Sequence, residues 1–172
     1  RNAQLFERLQ AAHQSYRELF EDSIDPILVT QMDGQIIEAN RQALLAAEYD
    51  GKDILSGHAI TQLHQPDFEL LGENFEKVNP FTTLSYESVL QTRLGHQVPI
   101  QVSVRQVVVE GAPHLQWIFR DLTERKNLDT LREDLISMIY HDLRAPLANV
   151  VSSLDVLNTM LPADDDPTVR SL

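Results

Sequence analysis

Cysteine is absent from all 172 residues. That excludes disulfides, thiolate zinc sites, cysteine-ligated iron–sulfur clusters and cysteine nucleophiles. No apolar run approaches the roughly 18 residues of a membrane-spanning helix, and the start carries no signal-peptide pattern. Positive charge is scarce. Lys and Arg number 14 against 26 Asp and Glu, a formal net charge of −12, and no basic cluster stands out. Phosphate backbones need such a cluster to displace counterions, so nucleic acid is not an expected partner. Glycine is limited to six residues, scattered across turns.

What the chain does have is a hydrophobic fraction of 42 %, enough for a real core and against global disorder. The length suits one domain of ordinary size plus an extension. The chain opens RNAQLFERLQ without a methionine, which reads as a piece of a longer protein and leaves room for an upstream membrane anchor. These residues themselves are expected to lie in the cytoplasm, with no membrane contact.

The hydrophobic period changes three times. Leu5, Leu9, Ala12, Tyr16 and Leu19 alternate steps of four and three. Residues 1–21 therefore read as an amphipathic helix, either a coiled-coil strand or a helix packed on its own domain. From 22 to 122 the pattern becomes mixed. Asp33-Gly34 between two apolar runs predicts a hairpin, and Asn40 is placed to cap a helix through RQALLAAEY. QPDFELLGENFEKV is a helical candidate. PFTTLSYESVLQTRLGHQVPIQVSVRQVVVEGAPHLQWIFRDL predicts three long strands, with turns at Leu94-Gly95-His96 and Glu110-Gly111-Ala112-Pro113. Ile100, Val102 and Val104 share one face of the middle strand, and Trp117 and Phe119 read as core. The fold class is α+β: a five-stranded antiparallel sheet with flanking helices, framed by coiled-coil-like helices at both ends.

Residues 123–161 are helical again. Leu128, Leu131, Leu135, Met138, Asp142 and Ala145 keep the three–four spacing. Leu147, Val150, Leu154, Leu157 and Leu161 resume it. Between these runs stands Pro146, which cannot donate to the Asp142 carbonyl and costs ~3 kcal/mol relative to alanine inside a helix. His141 flanks the first seam, where solvent or a docking domain reaches it. A neutral imidazole is nucleophilic near physiological pH, and a carboxylate on its other nitrogen would fix the attacking tautomer. Residues 162–172 read as a loop and a new helix start, with Asp166 as cap and Pro167 at the first helical position.

HDLRAPL, residues 141–147, resembles the phosphoacceptor box of bacterial sensor histidine kinases, in their dimerisation and histidine-phosphotransfer helix. DGQIIEAN, HQPDF and DLTERK resemble pieces of a PAS sensor domain, in the order such kinases use. The resemblance implies a two-component sensor in which the PAS domain controls ATP-dependent phosphorylation of His141. From there the phosphoryl group would pass to an aspartate of a response-regulator receiver domain. Asp142 would be the acid/base and orienting residue. Asp121, Thr123, Arg144 and Pro146 would be signalling or hinge positions, Asp121-Leu122-Thr123 matching the motif that hands the last strand to the signalling helix. No N box and no glycine-rich lid stand in these residues, so ATP and magnesium are expected on a separate catalytic domain. A parallel homodimer is the expected assembly. Where the family commonly has threonine or asparagine four residues after the histidine, this chain has Ala145, which implies weak phosphatase activity.

No cofactor is expected within the chain, and a small apolar or carboxylate ligand in the PAS pocket is left open by the sequence. Flavin photochemistry of the light-oxygen-voltage kind needs a cysteine. His58 and His64 are the regional candidates for haem, yet HQPDF resembles the HPED-like segment of PAS domains without haem. His13, His96 and His114 show no metal-ligand spacing. The alternative function is a non-catalytic sensing and dimerisation module, in which His141 is simply an exposed helix residue.

Overall fold

The fold is seen in a computed structural model that describes residues 2–51 and 55–160. The loop and helix start expected at 162–172, with Asp166 and Pro167, lie outside the described residues, as do the side chains of Leu5 and Leu9. The chain forms two units that divide between Glu124 and Arg125.

The first unit opens with α1 (Asn2–Glu21), twenty residues without glycine or proline. Its stripe of Ala12, Tyr16 and Leu19 stays exposed, and among the described α1 side chains Phe20 is the buried one. Strands β1 (Ile27–Thr30) and β2 (Ile36–Ala39) form the expected hairpin. Its turn differs in detail. Only Gly34 has a positive φ, 87°. Asp33 instead accepts a hydrogen bond from the Gln35 N–H at 2.9 Å, an Asx-type turn. Helix α2 (Arg41–Ala47) begins where expected, with Asn40 Oδ1 accepting from Ala43 N at 2.9 Å.

A 3-10 turn (Ile60–Gln62) and the single-turn α3 (Phe68–Leu71) follow. The longer helix expected from QPDFELLGENFEKV does not form. Gly72 (φ 83°, ψ 153°) and Phe75 (φ 58°) take positive-φ backbone that an α-helix cannot continue through. Strands β3 (Leu84–Gln91), β4 (Gln97–Val109) and β5 (Ala112–Asp121) then complete the sheet. Residues ahead of Leu84 were expected in β3. Instead, Asn79 Oδ1 accepts from both Phe81 N and Thr82 N and holds them in a turn. The β4–β5 turn is tighter than expected: Glu110 and Gly111 both have positive φ, and Val109 already pairs with Ala112.

The sheet is antiparallel throughout, in the order β2-β1-β5-β4-β3. Alternation puts Ile100, Val102 and Val104 of β4, with Leu115, Trp117 and Phe119 of β5, on the inner face, all buried. Ala43, Ile60, Leu63, Leu71 and Phe75 complete the same core. Each large side chain there contributes ~1.5–3 kcal/mol by burial. Trp117 Nε1 donates to Thr30 Oγ1 at 3.0 Å, and Thr30 in turn donates to the Gln31 carbonyl at 2.8 Å. The one indole N–H of the chain is thereby satisfied across the sheet.

The second unit holds most of α4 (Thr123–Met160), 38 residues and about 57 Å long at 1.5 Å per residue. It runs unbroken through Pro146. Leu128, Leu131, Leu135 and Met138, then Leu143, Leu147, Val150, Leu154 and Leu157, are all exposed. No helix among the described residues is long and apolar enough to cross a membrane.

Candidate functional site

The start of α4 is set by the end of β5. Asp121, the last strand residue, accepts a hydrogen bond from Thr123 N at 2.7 Å, satisfying one of the amides a helix start leaves bare. Its carboxylate also sits at the positive end of the helix. Of the two residues expected at this handover, Asp121 supplies the cap through its side chain and Thr123 receives it through its backbone N–H.

Some five turns later His141 projects from α4 with its side chain 88 % exposed. Asp142 Oδ1 lies 3.3 Å from His141 Nδ1. Adjacent helix residues do not normally face each other, so this contact depends on the side-chain rotamers. A carboxylate on Nδ1 stabilises a proton there and leaves Nε2 with its lone pair toward solvent. Arg144 and Ala145 lie three and four residues on, the spacing that shares a helix face with His141, and both are exposed. Pro146 follows, so the Asp142 carbonyl has no N–H donor four residues ahead. The arrangement offers an accessible, oriented nucleophile beside a locally weakened turn.

The other histidines are placed differently. His64 is 1 % exposed. Its ring packs edge-on against Trp117 and Phe119, at 5.6 and 5.1 Å between centroids, and stacks on Tyr86 at 6.0 Å. His64 Nε2 is 2.7 Å from Tyr86 Oη. Burial pushes the His64 ring down to about 4, partly opposed by the Ile60 carbonyl, although no hydrogen bond of good geometry closes on the buried Nδ1. Burial also holds the Tyr86 hydroxyl well above the usual phenol range, aided by the Asp67 carboxylate. A neutral imidazole protonated on Nδ1, accepting the tyrosine proton at Nε2, fits both neighbours. His58 meets Tyr49 edge-on at 5.8 Å. His96 bonds Glu48, whose carboxyl is held below its ordinary value first by Thr92 and then by His96. His114 lies beside the Ala112 carbonyl at 3.0 Å, and His13 is exposed on α1. Among the described residues no three His, Asp or Glu side chains are grouped as metal ligands.

Sequence reasoning did not find the His64–Tyr86 pair. Its members are 22 residues apart, and only the strand pairing that seats Tyr86 on the inner face joins them. It also missed the wider role of Asn40. Beyond capping α2, this buried side chain accepts from Ile27 N and donates to the Phe20 and Asp25 carbonyls. A surface groove of about 780 Å³, lined by Gln65, Asp67, Phe68 and Val89 among others, runs between α3 and β3.

A family model described as PAS domain matches residues 24–124. The PAS domain of an HTR-like protein from Haloarcula marismortui is 24 % identical, with a TM-score of 0.61 over 69 % of this chain and 98 % of that one. A PAS domain from a two-component sensor histidine kinase is 9 % identical, with a TM-score of 0.54 over 65 % and 97 %. A domain of a sensory box sensor histidine kinase/response regulator from Geobacter sulfurreducens is 21 % identical, with a TM-score of 0.53 over 64 % and 95 %. At these identities the likeness is one of fold. No curated protein matches the chain.

Proposed function

The chain belongs to the PAS domain family, and on that premise we propose that it is the sensory part of a two-component sensor histidine kinase, with His141 as phosphoacceptor. The observation that carries this reading is the exposed His141 with the Asp142 carboxylate on its Nδ1 side. Two structural neighbours come from proteins named as sensor histidine kinases, which agrees with it. In the proposed step, the Nε2 lone pair attacks the γ-phosphorus of ATP. The bond to the bridging oxygen breaks, ADP leaves, and Asp142 offsets the positive charge formed on the ring. A catalytic domain outside these residues supplies ATP and magnesium. A receiver-domain aspartate then takes the phosphoryl group, in the cytoplasm where both are available.

The open apolar stripe along α4 supports a parallel homodimer. A helix with some four heptads of exposed leucine and valine needs a partner, and the three–four spacing suits a second copy of itself. The packed surroundings of His64, with three aromatic rings within 6.0 Å, support the reading that the domain holds no haem there.

Supplying a compatible ATP-binding kinase domain in trans with labelled ATP tests the proposal. Label on the wild type and none on His141→Gln is expected. Label on neither, with dimerisation intact, would identify a non-catalytic sensing and dimerisation module instead.

A further inference from the structure

Segments far apart in sequence meet at one buried amide. Asn40 Oδ1 accepts from Ile27 N and Ala43 N, both at 2.9 Å, and so fixes the start of β1 and the cap of α2. Its Nδ2 donates at 3.1 Å to the Phe20 carbonyl in the last turn of α1, and at 3.0 Å to the Asp25 carbonyl in the loop leaving α1. The side chain is completely buried, with both halves of its amide engaged. The same loop is tied to the far end of β5. The Pro26 carbonyl accepts from Phe119 N at 3.0 Å, and Asp25 Oδ2 lies 3.6 Å from Arg120 Nη2. One residue beyond Arg120, Asp121 holds Thr123 N at the start of α4.

A short chain of bonds therefore runs from the end of α1 to the start of α4 along one side of the domain. It uses the buried Asn40 amide and backbone groups, and no side chain of the aromatic cluster of Trp117, Phe119, Phe75 and His64 beneath the sheet is a member of it. We infer that the loop from Asp22 to Pro26, anchored by Asn40, is an input relay: it carries the state of α1 to the start of α4 without a ligand in the interior. The inference rests on the reading that α4 is the output helix. Its physical basis is the cost of leaving a buried donor unpaired. If the last turn of α1 loosens, the Phe20 carbonyl withdraws and the Nδ2 group is left facing the loop alone. The loop must then shift, and the Pro26 carbonyl and Asp25 carboxylate move with it at the end of β5.

Hydrogen exchange on the full chain tests this. Tyr16→Pro breaks the helix ahead of Phe20 and removes the exposed ring stacked on Phe20 at 6.5 Å, so the last turn of α1 loosens. Amides of residues 122–126 are expected to exchange about fivefold faster than in the wild type, the loss of roughly one hydrogen bond's worth of protection. Asn40→Asp keeps both acceptor bonds but cannot donate to Phe20 and Asp25. In that background Tyr16→Pro is expected to add nothing at 122–126. Amides of residues 100–104 report whether the sheet stays folded. If Asn40→Asp loosens them, the exposed Arg120→Gln serves as the relay-cutting variant. An unchanged rate at 122–126 in Tyr16→Pro, or the same acceleration after the relay is cut in a folded domain, overturns the inference. The measurement needs no ATP, so a failed relay and a failed phosphoacceptor remain distinct results.

Discussion

Asp142 Oδ1 stands 3.3 Å from His141 Nδ1, on neighbouring residues of α4 whose side chains are both open to solvent. In the proposed phosphoryl transfer its charge would balance the positive charge that grows on the ring as Nε2 attacks. Asp142→Asn keeps the shape and removes the charge. It is expected to slow phosphorylation of His141 about 10²-fold, the lower range for a lost acid/base group, with little change in stability because the site is exposed. Initial rates of labelling at saturating ATP check this. A variant as fast as wild type would mean the carboxylate is a bystander.

The buried His64 makes the domain sensitive to acid. In the unfolded chain its ring titrates near 6.5, but in the fold only near about 4. Between those values the unfolded state binds a proton that the native state does not. Stability from this group is therefore complete above the unfolded value and is lost as pH falls toward the folded one. The full span amounts to ~3 kcal/mol, of which ~2 kcal/mol is gone by pH 5. Urea unfolding at pH 7 and pH 5 measures it. His64→Gln should be less stable at pH 7 and lose much less on acidification; equal losses in both proteins would contradict the account.

Thr30 is the acceptor for the only indole N–H of the chain, at 3.0 Å within the core. Thr30→Val removes that acceptor while conserving volume, leaving Trp117 Nε1 buried and unpaired. The expected loss is ~1–3 kcal/mol in urea unfolding. Thr30→Ser retains the hydroxyl and should lose clearly less. A Val variant as stable as the Ser variant would show that the bond contributes little.

These partners explain what the sequence could and could not show. Local chemistry was legible. The hairpin at Asp33-Gly34, the Asn40 cap, the inward face of β4 and the Asp121-Leu122-Thr123 handover each depend on residues a few positions apart. The loss of the longer helix beyond α3 was not, because the chain takes positive-φ backbone at Phe75 as well as at Gly72, and nothing in a phenylalanine announces it. The start of β3 was missed because the Asn79 side chain organises its own turn. His64 stood out only as a histidine in the right region; its burial requires β3 and β5 to close over it. Asn40 shows both limits at once: its bond to Ala43 follows from capping rules, while those to Phe20 and Asp25 require the whole first unit to be folded.

Ala145 lies one turn beyond His141 and carries no polar side-chain atom. A threonine there could orient a water toward a phosphorylated regulator docked at His141. Under the proposed function the protein is expected to promote dephosphorylation of its regulator only slowly, and Ala145→Thr to accelerate it about tenfold, roughly one hydrogen bond's worth. Decay of labelled regulator after removal of ATP measures both. Rapid decay with the wild type, requiring α4 but independent of His141, would contradict this reading.

Locating the phosphate on the protein after incubation with ATP and a compatible ATP-binding kinase domain tests the central claim most directly. Fragment mass spectrometry under neutral or alkaline conditions, which preserve a nitrogen–phosphorus bond, should place one phosphate per chain on the His141 imidazole. That signal should disappear on brief acid treatment and be absent from His141→Gln. An acid-stable phosphate elsewhere, or the same labelling in His141→Gln, would contradict the assignment of this helix as the phosphoacceptor.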